Sequence, residues 1–188
     1  MNTTLIVVLA AIAVACGVVV IHNGIVSRRN AVRRAWADVL AYERQKQQTL
    51  PKLEELVGSY QEYERGLLTS VTQLRESLGR LGNQPDGIAL AQAERASAEL
   101  LKGLRIAVEA YPELQAAGAL RELMAQLVDL QKEVTAALTI FSRNVELYNT
   151  GLEVFPASLV NAAVTRAQPV EPFTDPRAAS AFDYRPRL

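Results

Sequence analysis

Apolar residues are distributed along this chain in three regimes. From Leu5 to Ile21 they are continuous, with nothing more polar than Gly17. With Thr3 and Thr4 before it, and Ile25 and Val26 beyond a short His22-Asn23-Gly24 interruption, the run reaches about 20 residues, enough helix to cross the hydrocarbon core of a bilayer. Beyond it the apolar positions become periodic. Leu53, Val57, Tyr60, Glu64, Leu67, Val71, Leu74, Leu78 and Leu81 step by four and three. Leu120, Leu127, Val134, Phe141, Tyr148 and Phe155 recur every seven residues, and Met124, Gln131, Leu138, Val145 and Leu152 follow four residues after their partners. Shorter seams comprise Leu90, Ser97, Leu101, Leu104, Val108 and Tyr111, and, nearer the N-terminus, Val32, Trp36 and Val39. Steps averaging about 3.5 residues hold an apolar stripe on one face of gently supercoiling helices. After Pro156 no such period survives.

Punctuation divides the periodic region. Pro51 opens one stretch and Gly79 to Gly87 closes it, Pro112 separates the third stretch from the fourth, and Pro156 ends the fourth. Proline is accepted in a first helical turn and breaks an interior, so the spacing predicts helices over 4–48, 52–79, 88–110 and 115–155. The first contains the apolar run and continues into the remainder. Connections at 79–87 and near 111–114 are short enough for antiparallel neighbours. The predicted fold is all-α: an N-terminal transmembrane helix (1–26) leading into an antiparallel, coiled-coil-like four-helix bundle (27–156). A coiled coil shared between chains would bury the same seams, and association through the outer faces of a closed bundle stays open. Pro169, Pro172, Pro176 and Pro186 mark residues 157–188 as an extended or disordered tail. Its isolated Phe173, Phe182 and Tyr184 could dock on a partner.

Charge orients this picture. Arg28, Arg29, Arg33 and Arg34 follow the apolar run, and no Lys or Arg precedes it. The positive-inside rule then puts the N-terminus outside and the bundle in the cytoplasm, with the arginines placed to attract anionic head groups. A cleaved signal peptide would call for a basic N-terminal region, which Met1-Asn2-Thr3-Thr4 lacks. Acylation at Cys16, after Ala13-Val14-Ala15, is a third possibility, set against by the apolar Gly17 to Ile21 beyond it. Ala11 with Ala15, and Ala13 with Gly17, have the spacing of close helix contacts in membranes.

Composition narrows the chemistry. Lys plus Arg number 20, as do Asp plus Glu, which argues against a nucleic-acid binder held by bulk electrostatics. One cysteine and one histidine (His22) make neither an intrachain disulfide nor a Cys/His metal set. No Gly-rich phosphate loop and no Ser/His/Asp set is present, so no catalytic residue, cofactor, metal or small-molecule substrate is expected. Glu64 and Gln131 interrupt apolar seams. Each is either a buried polar group or a register-setting one at a seam edge. Trp36 reads as core packing, His22 as an interfacial residue, and Asn144 and Asn149 as amides that could link neighbouring helices.

An ordered set of short motifs resembles the LemA family. Arg29-Asn30, Val32, Ala35-Trp36 and Asp38 are followed by Leu50-Pro51, Leu53, Tyr60 and Glu64. Then come Glu109, Tyr111-Pro112 and Glu113-Leu114, and finally Tyr148-Asn149-Thr150 with Phe155-Pro156. Order, spacing and the preceding apolar helix all match over about residues 5 to 160. Departures cluster at polar positions: Gln48 where the family is usually acidic, Lys52 for asparagine, Tyr63 for histidine, Phe141-Ser142 for an earlier Tyr-Asn pair, and Leu138 for arginine. The chain is thus similar to a divergent member that keeps the packing skeleton. The resemblance implies a bacterial membrane protein with an outward N-terminus, a cytoplasmic helical bundle and no enzymatic activity. The function expected is a scaffold or adaptor at the inner membrane, whose partners are the bilayer, copies of itself and other membrane or cytoplasmic proteins. A membrane-remodelling homo-oligomer and a periplasmic lipoprotein adaptor acylated at Cys16 are the alternatives.

Overall fold

The computed structural model describes residues 2–58, 64–110 and 118–173, in which every regular element is helical. Helix α1 (Asn2–Gly58) has 57 residues and extends about 85 Å at the helical rise of 1.5 Å per residue. Helices α2 (Glu64–Gly79), α3 (Gly87–Ala110) and α4 (Gly118–Glu153) follow. A short α5 (Ala157–Val160) leads into a π turn (Asn161–Thr165).

The core is built in two storeys. In the outer storey, Leu50, Leu53 and Val57 of α1 meet Leu67, Val71 and Leu74 of α2, Leu100 and Leu104 of α3, and Leu120 and Leu127 of α4. In the inner storey, Val32, Trp36 and Val39 of α1 pack on Val134, Phe141, Val145 and Tyr148 of α4. Low-numbered α1 residues thus meet high-numbered α4 residues, so the two helices run antiparallel. The α2–α3 hairpin covers the outer storey and reaches the inner one through Leu90 and Leu81, and its turn rests at the level of Trp36. There the indole Nε1 donates to the Gly82 carbonyl at 3.0 Å, and the ring lies 5.3 Å from Phe141, tilted by 47°. Asp86 starts α3 as an N-cap, its Oδ1 accepting from Ile88 N at 3.0 Å and Ala89 N at 2.9 Å. The all-α antiparallel bundle expected from the seams is therefore the observed architecture.

Two features depart from the sequence reading. First, α1 runs through Pro51 to Gly58 with no boundary at the proline. An interior proline removes the hydrogen bond to the Gln47 carbonyl and costs about 3 kcal/mol. Leu50 and Leu53 on either side are fully buried, and Val57 nearly so, and each such side chain returns roughly 1.5–3 kcal/mol. Packing outweighs the lost bond. Second, residues 157–173, grouped by their prolines with the tail, belong to the folded body. Val160 is buried, and the backbone of Gln168 and Val170 finds side-chain partners on α4. The expectation for 174–188, with Phe182 and Tyr184, lies outside the described residues.

Candidate functional site

Between the two storeys lies a buried layer of charge. Glu43 and Lys46 of α1 are 2% and 1% exposed, and Glu94 and Ser97 of α3 and Gln131 of α4 complete the layer. Lys46 Nζ donates to Gln131 Oε1 at 2.9 Å and to Glu94 Oε1 at 3.4 Å. Gln131 Nε2 donates to Glu94 Oε2 at 2.6 Å, and Ser97 Oγ donates to Gln131 Oε1 at 2.7 Å. Lys46 also lies 3.0 Å from Glu43 Oε2. That is ion-pair distance but off the line of a hydrogen bond, and both Glu43 oxygens remain without a hydrogen-bond partner. Burial pushes the Glu43 carboxyl up from 4.5 to about 7; Lys46 opposes the shift and Glu94 adds to it. Lys46, at a seam position of α1 and bonded to α3 and α4, ties three helices in one register.

This layer is reached from outside. A groove of about 970 Å³ runs between α3 and α4, with Glu94 and Gln131 in its wall, Arg95, Lys102 and Arg105 along α3, and Phe173 also lining it. It carries both signs of charge beside apolar Leu138 and Ile106, so it has no single electrostatic character.

At the other end of the inner storey the motif residues converge. Arg28, Arg29, Arg33 and Arg34 are exposed on α1, as are Asn30 and Asp38. Arg29 and Arg33 face Tyr148, whose phenol burial pushes up and whose shift these guanidiniums partly offset. The Arg28 guanidinium sits against Gly151, in the space a side chain there would take. Tyr148 OH donates to the Gln168 carbonyl at 2.9 Å. Asn149 clamps Val170 in both directions, Nδ2 to its carbonyl at 2.8 Å and Oδ1 from its N–H at 2.9 Å. Asn161 holds Ala167 in the same way, at 3.1 and 2.8 Å. Between these clamps Arg166 adopts a left-handed φ of 50°. Beyond Asn149 the segment crosses the start of α3 at Gly87, where a Cβ would lie 2.9 Å from the Glu171 carbonyl oxygen and nearer still to the Pro172 backbone. Next to the apolar run, His22 Nδ1 and Thr165 Oγ1 share a hydrogen bond of 3.0 Å.

The structure therefore joins the two ends of the motif set. Ala35, Trp36 and Tyr148, more than a hundred positions apart, share one core because α1 and α4 run antiparallel. Pro51 is exposed within α1, Phe155 is exposed, and Pro156 leads into α5. Tyr60, Tyr111 and Pro112 lie outside the described residues, as does the side chain of Glu64. Gln131 is at the centre of the buried layer. Asn144 turns back on its own helix, donating to the Ile140 carbonyl at 2.9 Å. Glu43, Lys46 and Glu94 were missed as members of a polar layer. The signal was present: continued past Val39, the three-and-four step lands on Glu43, Lys46, Leu50 and Leu53.

Among the described residues no group of three or more His, Cys, Asp and Glu side chains is placed to hold a metal ion. The residues of α1 from Thr3 to Cys16 are bare of tertiary contact cover, and α1 is the one described helix long and apolar enough to cross a membrane. Together these define a class: an all-helical bundle protein with a candidate N-terminal membrane span built into its first helix. The sequence model of the LemA family matches residues 35–182, and the chain belongs to that family. No curated protein matches it.

Proposed function

We propose that this protein is a membrane-anchored helical scaffold at the inner face of a bacterial membrane, with its N-terminus outside and its bundle in the cytoplasm. The observation that carries the reading is the continuity of α1. One helix is bare and apolar over its first turns, bears Arg28, Arg29, Arg33 and Arg34 next, and then forms the bundle core without a linker. Such a protein holds its binding faces at a set distance and angle from the bilayer. The arginines supply the asymmetry that orients the span and add attraction to anionic lipid, about 1 kcal/mol each near the surface.

Association with copies of itself is favoured by the outer face of α4. Ile140 and Leu147, seven residues apart, are 59% and 51% exposed, the spacing of a coiled-coil seam left uncovered among the described residues. Lateral assembly through that face would make the protein a membrane organiser or remodeller. The test is the native mass of the full-length protein in lipid nanodiscs, with cross-linking in cells. Ordered oligomers or reproducible cross-linked neighbours support the scaffold. A monomer in detergent and in lipid that captures no neighbour sinks it.

A further inference from the structure

We infer that residues 154–165 are a second membrane contact, a short hydrophobic wedge seated in the head-group layer beside the span. The inference rests on the membrane reading of α1 and adds to it a surface and a ligand class, the phospholipid interface.

Four large apolar side chains here point away from the protein: Val154, Phe155, Leu159 and Val164 are 51%, 79%, 62% and 54% exposed. Val154 and Phe155 lie in the turn that closes α4, and Leu159 and Val164 follow on α5 and the π turn, so all four belong to one short stretch of chain. The opposite side is spoken for, since Val160 is buried and Ala157 packs on the inner core. Single apolar residues scattered over a surface mean little, but four large ones gathered on one short stretch call for a cover.

The position of the turn selects the bilayer as that cover. Thr165 is bonded to His22, the first strongly polar residue after the apolar run, and Ile21 packs into the same core cluster as Ala157. Residues 5–21 rise about 25 Å as a helix, short of the roughly 30 Å hydrocarbon thickness. The level of His22 to Gly24 therefore lies at the edge of the hydrocarbon, where a bare helix would show His22 and Asn23 to lipid. The wedge stands beside that level, its hydroxyl pairing with the imidazole and its apolar side turned outward. The exposed apolar surface of α1 thus continues onto the wedge, with the four arginines just beyond. Apolar groups in such a place sink about 5–10 Å into the head-group and acyl boundary. The clamps at Asn149 and Asn161 hold the turn, so a wedge rigidly joined to the span would set the tilt of the whole protein.

The experiment uses the full chain with Cys16→Ser as background and single cysteines at positions 155, 159, 164, 14 and 132, each carrying an environment-sensitive dye. The proteins are reconstituted in phosphatidylcholine/phosphatidylglycerol vesicles containing lipids spin-labelled high or low on the acyl chain. Dyes at 155, 159 and 164 are expected to be quenched at least twofold more by the shallow label than a dye at 132. A dye at 14 should respond to the deep label. Quenching at 14 with none at 155, 159 and 164 overturns the wedge and leaves the span standing. No quenching at 14 overturns the span and the wedge with it. Blue-shifted dyes at 155, 159 and 164 that ignore lipid quenchers would place a second protein copy over the face, and also overturn the wedge.

Discussion

At Glu43 two effects oppose each other. Burial favours the neutral acid and Lys46 favours the anion, and burial dominates, lifting the carboxyl from 4.5 to about 7. A native state that keeps its proton longer than the unfolded chain gains stability from it. That contribution is full below about 4.5 and is lost as pH rises through about 7. Wild-type stability is therefore expected to fall between pH 5 and 8. Glu43→Gln should flatten that slope and be the more stable protein at pH 8 by on the order of 1–3 kcal/mol, as read from denaturant melts at both pH values. Glycines supply a second contrast. Gly87→Ala drives a Cβ into the backbone of Glu171 and Pro172, which cannot swing aside, and should cost about 1–3 kcal/mol. It should also speed amide exchange at Ala167 and Val170. Gly151→Ala meets only the tip of Arg28, a flexible side chain, and helix propensity favours alanine by about 1 kcal/mol, so its net effect should be within about 1 kcal/mol of zero. Neither contrast is written in the sequence, where both glycines look alike.

Helix α1 shows how an element can mislead. Pro51 is a sound boundary signal by local rules, and the seam of the second stretch begins two residues later at Leu53. The helix persists because its two flanks bury leucines in the same core, a fact about neighbours and not about the residue itself. Restoring the missing donor should help: Pro51→Ala is expected to raise stability by about 1–3 kcal/mol, measured by chemical denaturation in detergent. A loss of stability would mean that the proline shapes the helix to its partners. The seam named in the first predicted helix stops at Val39, short of Glu43 and Lys46, although both lie inside the same stretch, 4–48. Gln131 was visible because the seven-residue repeat of α4 ran on unbroken on both sides of it. The Asn149 clamp was hidden for another reason: its partner at Val170 has no periodicity to reveal it.

On the scale of the whole molecule, one helix carries two kinds of surface. Its first turns suit lipid and its last turns suit a protein core, with the arginines at the junction. If the span is oriented as proposed, a cysteine at Asn2 in a Cys16→Ser background reacts with an impermeant maleimide in intact cells. One at Lys132 reacts only after lysis. The reverse pattern would place the bundle outside and remove the cytoplasmic scaffold. The sequence by itself determined the helical class, the apolar run, the seams and the motif set, because each is a periodicity or a contiguous stretch that the chain itself contains. Only the tertiary structure decided that Glu43, Lys46, Glu94, Ser97 and Gln131 form one layer. It alone placed 157–173 against α4 and α3, and Thr165 beside His22. Those depend on which residues meet across helices, and burial there changes the energy of a carboxylate by more than any local preference does.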